Sequence, residues 1–310
     1  MAHVLSIAPG ITQIDTLMAG MDQVSAGFVV AGDDVALIET GPATSAATVR
    51  DHLAQAGVPP EALRWLIVTH IHLDHAGGVG DLAAAFPEAT VVVHPKGARH
   101  LVDPSRLMAS AAQVYGDALD TMYGQLRPTE AERVRAVEDG EIIDLGGGRR
   151  IEVLHTPGHA KHHMALLEPD TGALFVGDAV GVYLPDAPVL RPTTPPPDFD
   201  LAQTVASLRR LAGIDPSLLV LSHFGVVASP LEFLAGAEEE ISRWCEIAGR
   251  ALEQGAGIEG VDAALRSHAD EQEKDLSPEA RAKLEAFNSV HFNAVGLSRY
   301  HELRRATEAE

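Results

Sequence analysis

The chain is poor in cysteine, in basic residues and in long apolar runs. Its single cysteine, Cys245, excludes a disulfide within the chain and is typical of a reducing compartment, so we expect a cytoplasmic protein. The longest apolar runs are too short to span a membrane, and the N-terminal segment lacks a signal-peptide pattern. We therefore expect no membrane partner.

The shortage of basic residues gives the chain a strongly acidic balance. Its 23 lysines and arginines face 44 aspartates and glutamates, and the formal net charge is -21. A field of this sign repels phosphate backbones, which disfavours long nucleic acid as a partner. Hydrophobic residues make up 46% of the 310 residues and charged residues 22%, as in a folded globular protein with a sizeable core.

Strand-like and helix-like segments alternate along the first 228 residues, which predicts an α/β fold. From residue 229 onward the chain is rich in charged residues, and its pattern predicts helices. We therefore predict a domain over residues 1–228 and a helical C-terminal extension over residues 229–310. The proline-rich stretch 184–200 predicts a long irregular loop. Strands are predicted at 27–30, 34–38, 65–68, 90–94, 151–155, 165–168, 173–176 and 218–221, and helices at 45–56, 79–86 and 201–212.

The densest group of potential metal ligands follows strand 65–68. His70, His72, Asp74 and His75 fall within six residues and precede a pair of glycines. Soluble proteins rarely place imidazoles and a carboxylate this close together unless a cation requires them. This segment therefore predicts a metal site.

Three further candidates follow other predicted strands. His159 comes after strand 151–155, Asp178 after strand 173–176, and His223 after strand 218–221. A single histidine at a strand end is ordinarily solvated or structural, so the inference depends on their joint occurrence at loops that can converge. Five histidines and two aspartates exceed the ligands of one cation and suit two, with zinc expected first and iron or manganese as alternatives.

In these motifs the chain resembles the metallo-β-lactamase-fold hydrolase superfamily from about residue 25 to residue 228. The resemblance implies a four-layer αβ/βα sandwich. It implies that the first cation binds His70, His72 and His159. It also implies that the second binds Asp74, His75 and His223, with Asp178 bridging the two.

The Asp74-His75 pair resembles the pair found in the hydroxyacylglutathione hydrolase (glyoxalase II), lactonase and ribonuclease Z branches. Class B β-lactamases commonly use a cysteine ligand, but Cys245 lies outside the motifs, and the flavo-diiron branch commonly has glutamate where His72 stands. By the same resemblance, His163 orients a ligand or a loop, while Glu39, where the family often has aspartate, supports the ligand loops. His162 is either a substrate contact or a surface residue.

The resemblance implies a dinuclear metal-dependent hydrolase in which a metal-bound hydroxide cleaves a thioester, ester or lactone of a small-molecule substrate. Asp74 could also accept a proton from the nucleophile. A phosphodiesterase and a metal-bound regulatory protein with little turnover remain alternatives. The helical tail could form a homodimer, and it lacks a clear basic cluster for glutathione.

Two features outside the motifs are candidates for the substrate pocket. An apolar stripe in the helical segment 98–124 is a core or interface element, or else a pocket wall; its members are Leu107, Ala111, Val114, Ala118 and Met122. Arg191 could hold an anionic substrate group or lie at the surface.

Overall fold

The computed structural model describes residues 3–308, which belong to two compact units. Within the described residues, unit 1 comprises residues 3–155, His162–Gly177 and Ser217–Ala228, and unit 2 comprises Thr156–Lys161, Asp178–Pro216 and residues 229–308. The division into residues 1–228 and 229–310 stays a prediction. Among residues 3–308, no helix combines the length and the hydropathy needed to cross a membrane.

The strands lie within a few residues of the predicted ones, and several short strands accompany them. Their bounds are β1 (Val4–Ala8), β2 (Ile11–Asp15), β3 (Ala26–Val30), β4 (Val35–Ile38), β5 (Leu63–Ile67), β6 (Thr90–Val93), β7 (Val134–Ala136), β8 (Ile142–Asp144), β9 (Arg150–His155), β10 (Met164–Glu168), β11 (Ala173–Phe175), β12 (Val182–Leu184), β13 (Ala187–Arg191), β14 (Leu218–Val220) and β15 (Val226–Val227).

The helices connect strands in the first half of the chain and dominate its end. Their bounds are α1 (Ala46–Gln55), α2 (Leu73–Ala76), α3 (Val79–Ala85), α4 (Pro95–Val102), α5 (Ser105–Tyr115), α6 (Ala118–Met122), α7 (Leu201–Ala212), α8 (Pro230–Glu253), α9 (Ile258–Gln272), α10 (Pro278–Phe287) and α11 (Val290–Glu308).

Unit 1 contains two packed sheets. The first has the order β1 to β7, antiparallel as far as β4 and parallel from β4 to β7, with helical crossovers between the parallel strands. The second has the order β15-β14-β11-β10-β9-β8. Phe28 on β3 and Phe175 on β11 meet between the sheets with ring centroids 5.4 Å apart, inside a shared buried cluster. The short, nearly continuous apolar strands fit this burial on both faces.

Unit 2 combines the β12–β13 hairpin with α7 to α11. Val182, Leu184 and Ala187 of the hairpin pack against Ala280 and Leu284 of α10. The prediction of an irregular loop over 184–200 is wrong at its start, because β13 occupies Ala187–Arg191. The hairpin tolerates the prolines because both of its strands are edge strands. A proline there, which lacks a backbone N–H, need not remove a hydrogen bond between strands.

The predicted apolar stripe over 98–124 does not form one buried face. Gly116, at φ 52°, separates α5 from α6 and so interrupts the helical repeat. Ala111 is buried, whereas Val114 is 55% exposed. The stripe is therefore not a core element along its length.

Candidate metal centre

The segment from His70 to His75 leaves β5 and turns at once into α2. The backbone is extended at His72 (φ -64°, ψ 151°), and the helical turn begins at Leu73. Gly77 lets this turn approach the neighbouring loop, because a Cβ there would lie 2.9 Å from the Ala43 nitrogen and 3.0 Å from the Pro42 Cα. The local chain path thus brings several ligand-type side chains into the interior of unit 1.

Asp74, His75 and His223 converge within unit 1, and each offers a ligand atom within 4.8 Å of the others. Asp74 Oδ2 lies 3.4 Å from His75 Nε2 and 3.6 Å from His223 Nε2. A tetrahedral zinc with bonds of 2.0–2.2 Å would hold neighbouring ligand atoms roughly 3.3–3.6 Å apart. The donor set therefore fits a divalent cation in both chemistry and spacing.

The second nitrogen of each of these imidazoles faces an acceptor. His223 Nδ1 lies 3.0 Å from the Val24 carbonyl oxygen, and His75 Nδ1 lies 3.1 Å from Glu39 Oε1. A carbonyl oxygen only accepts, so His223 must donate from Nδ1, and an ionised Glu39 imposes the same tautomer on His75. Each Nε2 then directs a lone pair toward the side where Asp74 lies.

Glu39 supports the ligand loops, as the resemblance implied. Its Oε1 accepts hydrogen bonds from Thr69 Oγ1 (2.5 Å) and Ser222 Oγ (3.1 Å) as well as from His75. Thr69 and Ser222 directly precede the ligand candidates His70 and His223. One buried carboxylate, 1% exposed, therefore connects three of the loops that follow the strands.

His70 and His72 lie next to each other, with His70 Nε2 2.9 Å from His72 Nδ1. His163 is fully buried, and its ring centroid is 5.1 Å from that of His70, in agreement with an orienting role. His162 is half-buried, with its ring centroid 5.7 Å from that of His72. It is therefore not an exposed surface residue.

His94 is a buried neighbour of this region that the sequence motifs did not indicate. Its ring centroid lies 4.1 Å from that of His155. Burial, followed by the charges of His155, Lys96 and His162, lowers the pKa of His94 to about 4. Because His94 Nδ1 accepts a hydrogen bond from the Lys96 backbone N–H, the neutral imidazole is the form that fits.

The remaining ligand candidates, His159 and Asp178, lie together in unit 2. His159 Nε2 is 3.6 Å from Asp178 Oδ2, and both side chains are about 5% exposed or less. They border a small cavity of about 10 Å³, enough for about one water molecule, which Thr193 and Phe199 also line. His159 Nδ1 faces Thr193, a residue that the sequence patterns did not single out.

Two sequence-based expectations concern residues outside this group. Arg191 is neither a surface residue nor open to substrate: it is 2% exposed and forms ion pairs with Glu273 and Glu285. Cys245 is buried, and burial raises the pKa of its thiol to about 12, so the thiolate that a metal requires is disfavoured.

Comparison with known proteins relates the chain to a family. The sequence profile described as "Metallo-beta-lactamase superfamily" matches residues 19–223, more than half of the chain. The chain belongs to the metallo-β-lactamase superfamily. The two packed sheets and the helical crossovers are those of its fold, so the predicted fold class is confirmed.

Individual relatives support the same assignment. The chain is 34% identical over 171 residues, 54% of its length and 63% of the relative's, to a metallo-β-lactamase fold-containing protein from Sulfurisphaera tokodaii. It is 29% identical over 175 residues to a hydroxyacylglutathione hydrolase from Aeromonas hydrophila, covering 56% of this chain and 53% of the relative. These matches thus span less than two thirds of the curated relatives.

A solved structure resembles the chain over nearly its whole length. A metallo-β-lactamase family protein from Thermus thermophilus superposes with a TM-score of 0.71 at 21% identity, over 97% of this chain and 95% of that one. At this identity the likeness concerns the fold alone.

Proposed function

We propose that the chain is a hydrolase that binds two divalent cations, zinc first among them, and cleaves an ester or thioester bond, lactones included, in a small molecule. The observation that carries the proposal is the spacing of Asp74 Oδ2 to His75 Nε2 and His223 Nε2, 3.4 Å and 3.6 Å, which suits one cation. The relative named hydroxyacylglutathione hydrolase supports a thioester among the substrates.

The assignment of ligands to cations follows the motif order of the superfamily. Asp74, His75 and His223 are proposed for one cation. His70, His72 and His159 are proposed for the other, with Asp178 as the shared carboxylate. A phosphodiester substrate and a regulatory role without turnover are the competing outcomes. A cytoplasmic location and a homodimer formed through the helical tail also belong to the proposal.

The chain's own residues would divide the work between holding the cations and moving a proton. Bound divalent cations supply Lewis acidity and make water available as a nucleophile at neutral pH. Glu39 and the Val24 carbonyl keep the Nδ1 proton on His75 and His223, so that their Nε2 atoms stay available as ligands. Asp74, only 15% exposed, could also accept the nucleophile's proton at a carboxylate oxygen. A thiolate leaving group needs no strong general acid, because the pKa of its conjugate thiol is only about 8.5.

The decisive experiment combines metal analysis with a substrate panel. We expect about two equivalents of zinc, iron or manganese per chain, and chelator-sensitive hydrolysis of thioesters or lactones. Cleavage of phosphodiesters alone would reverse the substrate assignment. Two bound cations with no turnover on any substrate would favour the regulatory role. Full hydrolysis by metal-free protein would contradict the mechanism.

A substitution separates the ligands from their surroundings. Asp74→Ala should lower the bound metal toward one equivalent and reduce hydrolysis by at least about 100-fold, because a cation site loses its carboxylate. Asp81→Ala, on the neighbouring helix α3 where Asp81 pairs with exposed Arg127, is the matched control and should change neither quantity. Equal metal content in both variants would remove Asp74 from the ligand set.

A further inference from the structure

We propose that Asn288 and Asn293, in the C-terminal helical region, position His159 for metal binding through the segment that contains Thr193. The inference rests on the proposed metal centre. It assigns a role to the C-terminal region that neither the motifs nor the family match, which ends at residue 223, supplies.

The first step is the contact between His159 and Thr193. His159 Nδ1 lies 3.2 Å from the Thr193 carbonyl oxygen and 2.8 Å from Thr193 Oγ1. Because the carbonyl can only accept, this contact places the proton on Nδ1 and leaves the Nε2 lone pair for a cation. The carbonyl thus fixes the tautomer, while the hydroxyl, the nearer of the two oxygens, holds the orientation of the ring.

The second step is that asparagine side chains hold the residues on either side of Thr193. The Thr194 N–H donates to Asn293 Oδ1 at 2.9 Å, and the Thr194 hydroxyl donates to the same oxygen at 2.8 Å. On the other side, Asn288 Nδ2 donates to the Pro192 carbonyl at 2.9 Å. Asn293 Nδ2 donates to Asn288 Oδ1 at 2.8 Å, so the two side chains act as one clamp.

The third step is the burial of this clamp. Thr194 and Asn293 are 0% exposed, and Asn288 is 4% exposed. A Cβ at Gly296 would lie 1.6 Å from the Thr194 carbonyl oxygen, so α11 packs against the segment without any intervening side chain. Buried polar groups that satisfy one another favour a single arrangement, because any other arrangement leaves a buried group without a hydrogen-bond partner.

Loss of the clamp should therefore act on metal binding through His159. Substitutions of groups that orient a ligand typically weaken metal affinity by about 10–100-fold. For Asn293→Ala we expect a roughly tenfold loss of affinity for the zinc that His159 is proposed to bind, measured by competition with a chromophoric chelator. Glu240→Ala is the matched control. It removes an acceptor for Trp244 and His268 in the same unit, and should lower thermal stability without changing zinc affinity.

A pair of substitutions at Thr193 tests the contact without disturbing the clamp. Thr193→Val removes the hydroxyl at nearly constant volume and should weaken zinc binding by about tenfold, whereas Thr193→Ser should restore it. This pair decides the matter even if Asn293→Ala does not fold. Zinc affinity within twofold of the unchanged chain in Thr193→Val, or in a folded Asn293→Ala, would overturn the inference while leaving the proposed hydrolase intact. An unchanged chain that binds no metal would overturn both.

Discussion

At the residue scale, three of the proposed histidine ligands share one feature: the ring nitrogen on the far side from the proposed cation faces an acceptor. For His75 the acceptor is Glu39, for His223 it is the Val24 carbonyl, and for His159 it is Thr193. Since an imidazole binds metal through a nitrogen without a proton, these acceptors decide which nitrogen is available. Zinc affinity should therefore depend on residues that never touch the cation.

Glu39 is the strongest test of this idea. Glu39→Gln removes the charged acceptor of His75 and should weaken binding of the second zinc by about 10–100-fold. Glu39→Asp keeps the charge on a shorter side chain, so its zinc affinity should lie between that of the unchanged chain and that of Glu39→Gln. Chelator competition measures both variants, and circular dichroism verifies that they fold. An unchanged zinc affinity in a folded Glu39→Gln would show that Glu39 only joins the loops.

His94 predicts a pH dependence of stability. Its pKa is lowered from 6.5 to about 4, chiefly by burial, so below pH 6.5 the unfolded chain binds a proton that the folded chain resists. The contribution of neutral His94 to the free energy of unfolding is therefore fully present above pH 6.5 and is lost as the pH falls toward 4. Urea unfolding of metal-free protein should show this loss. His94→Gln should reduce the slope of the free energy of unfolding against pH between pH 6.5 and 4. An identical slope in the variant would assign the dependence to other groups.

At the scale of elements, Arg191 joins the end of β13 to the C-terminal helices. Its guanidinium pairs with Glu273 and Glu285 and donates to the Asn288 carbonyl at 2.6 Å. Arg191→Leu leaves Glu273, itself 6% exposed, buried without its cation. Breaking such a buried pair costs about 3–5 kcal/mol, which urea unfolding should detect. Arg209→Leu, at an exposed pair with Glu238, is the control and should change stability little.

The same elements show which parts of the structure the sequence could predict. The ligand candidates were recognisable because their side-chain types are chemically distinctive and each follows an apolar strand. Thr194 and Asn293 are ordinary polar residues 99 positions apart, and only the folded chain brings them into contact. The β12–β13 hairpin was missed because Pro185 and Pro188 are typical of loops, and Arg191 was misjudged because its acidic partners lie far along the chain.

At the scale of the whole molecule, fold and charge limit the function less than the site does. The metallo-β-lactamase fold is compatible with several reactions, so the substrate must be argued from the side chains around the proposed cations. The net charge of -21 favours cations and disfavours polyanions in general, and two divalent cations would offset only a small part of it. The acidic balance therefore agrees with a small-molecule substrate but does not select one.

Metal removal should lower the stability of the protein as well as its activity. A ligand that binds only the folded state stabilises it by about 4 kcal/mol at 1,000 times its dissociation constant, and the proposed ligands come from loops far apart in the chain, which the unfolded state cannot assemble. We expect chelator to lower the melting temperature, added zinc to restore it, and Asp74→Ala to show a smaller shift. The zinc-dependent gain should shrink as the pH falls, because metal ligands must be deprotonated and protons compete with the cation for them. Superimposable melting curves with zinc and with chelator at pH 7 would contradict a metal centre built from these residues.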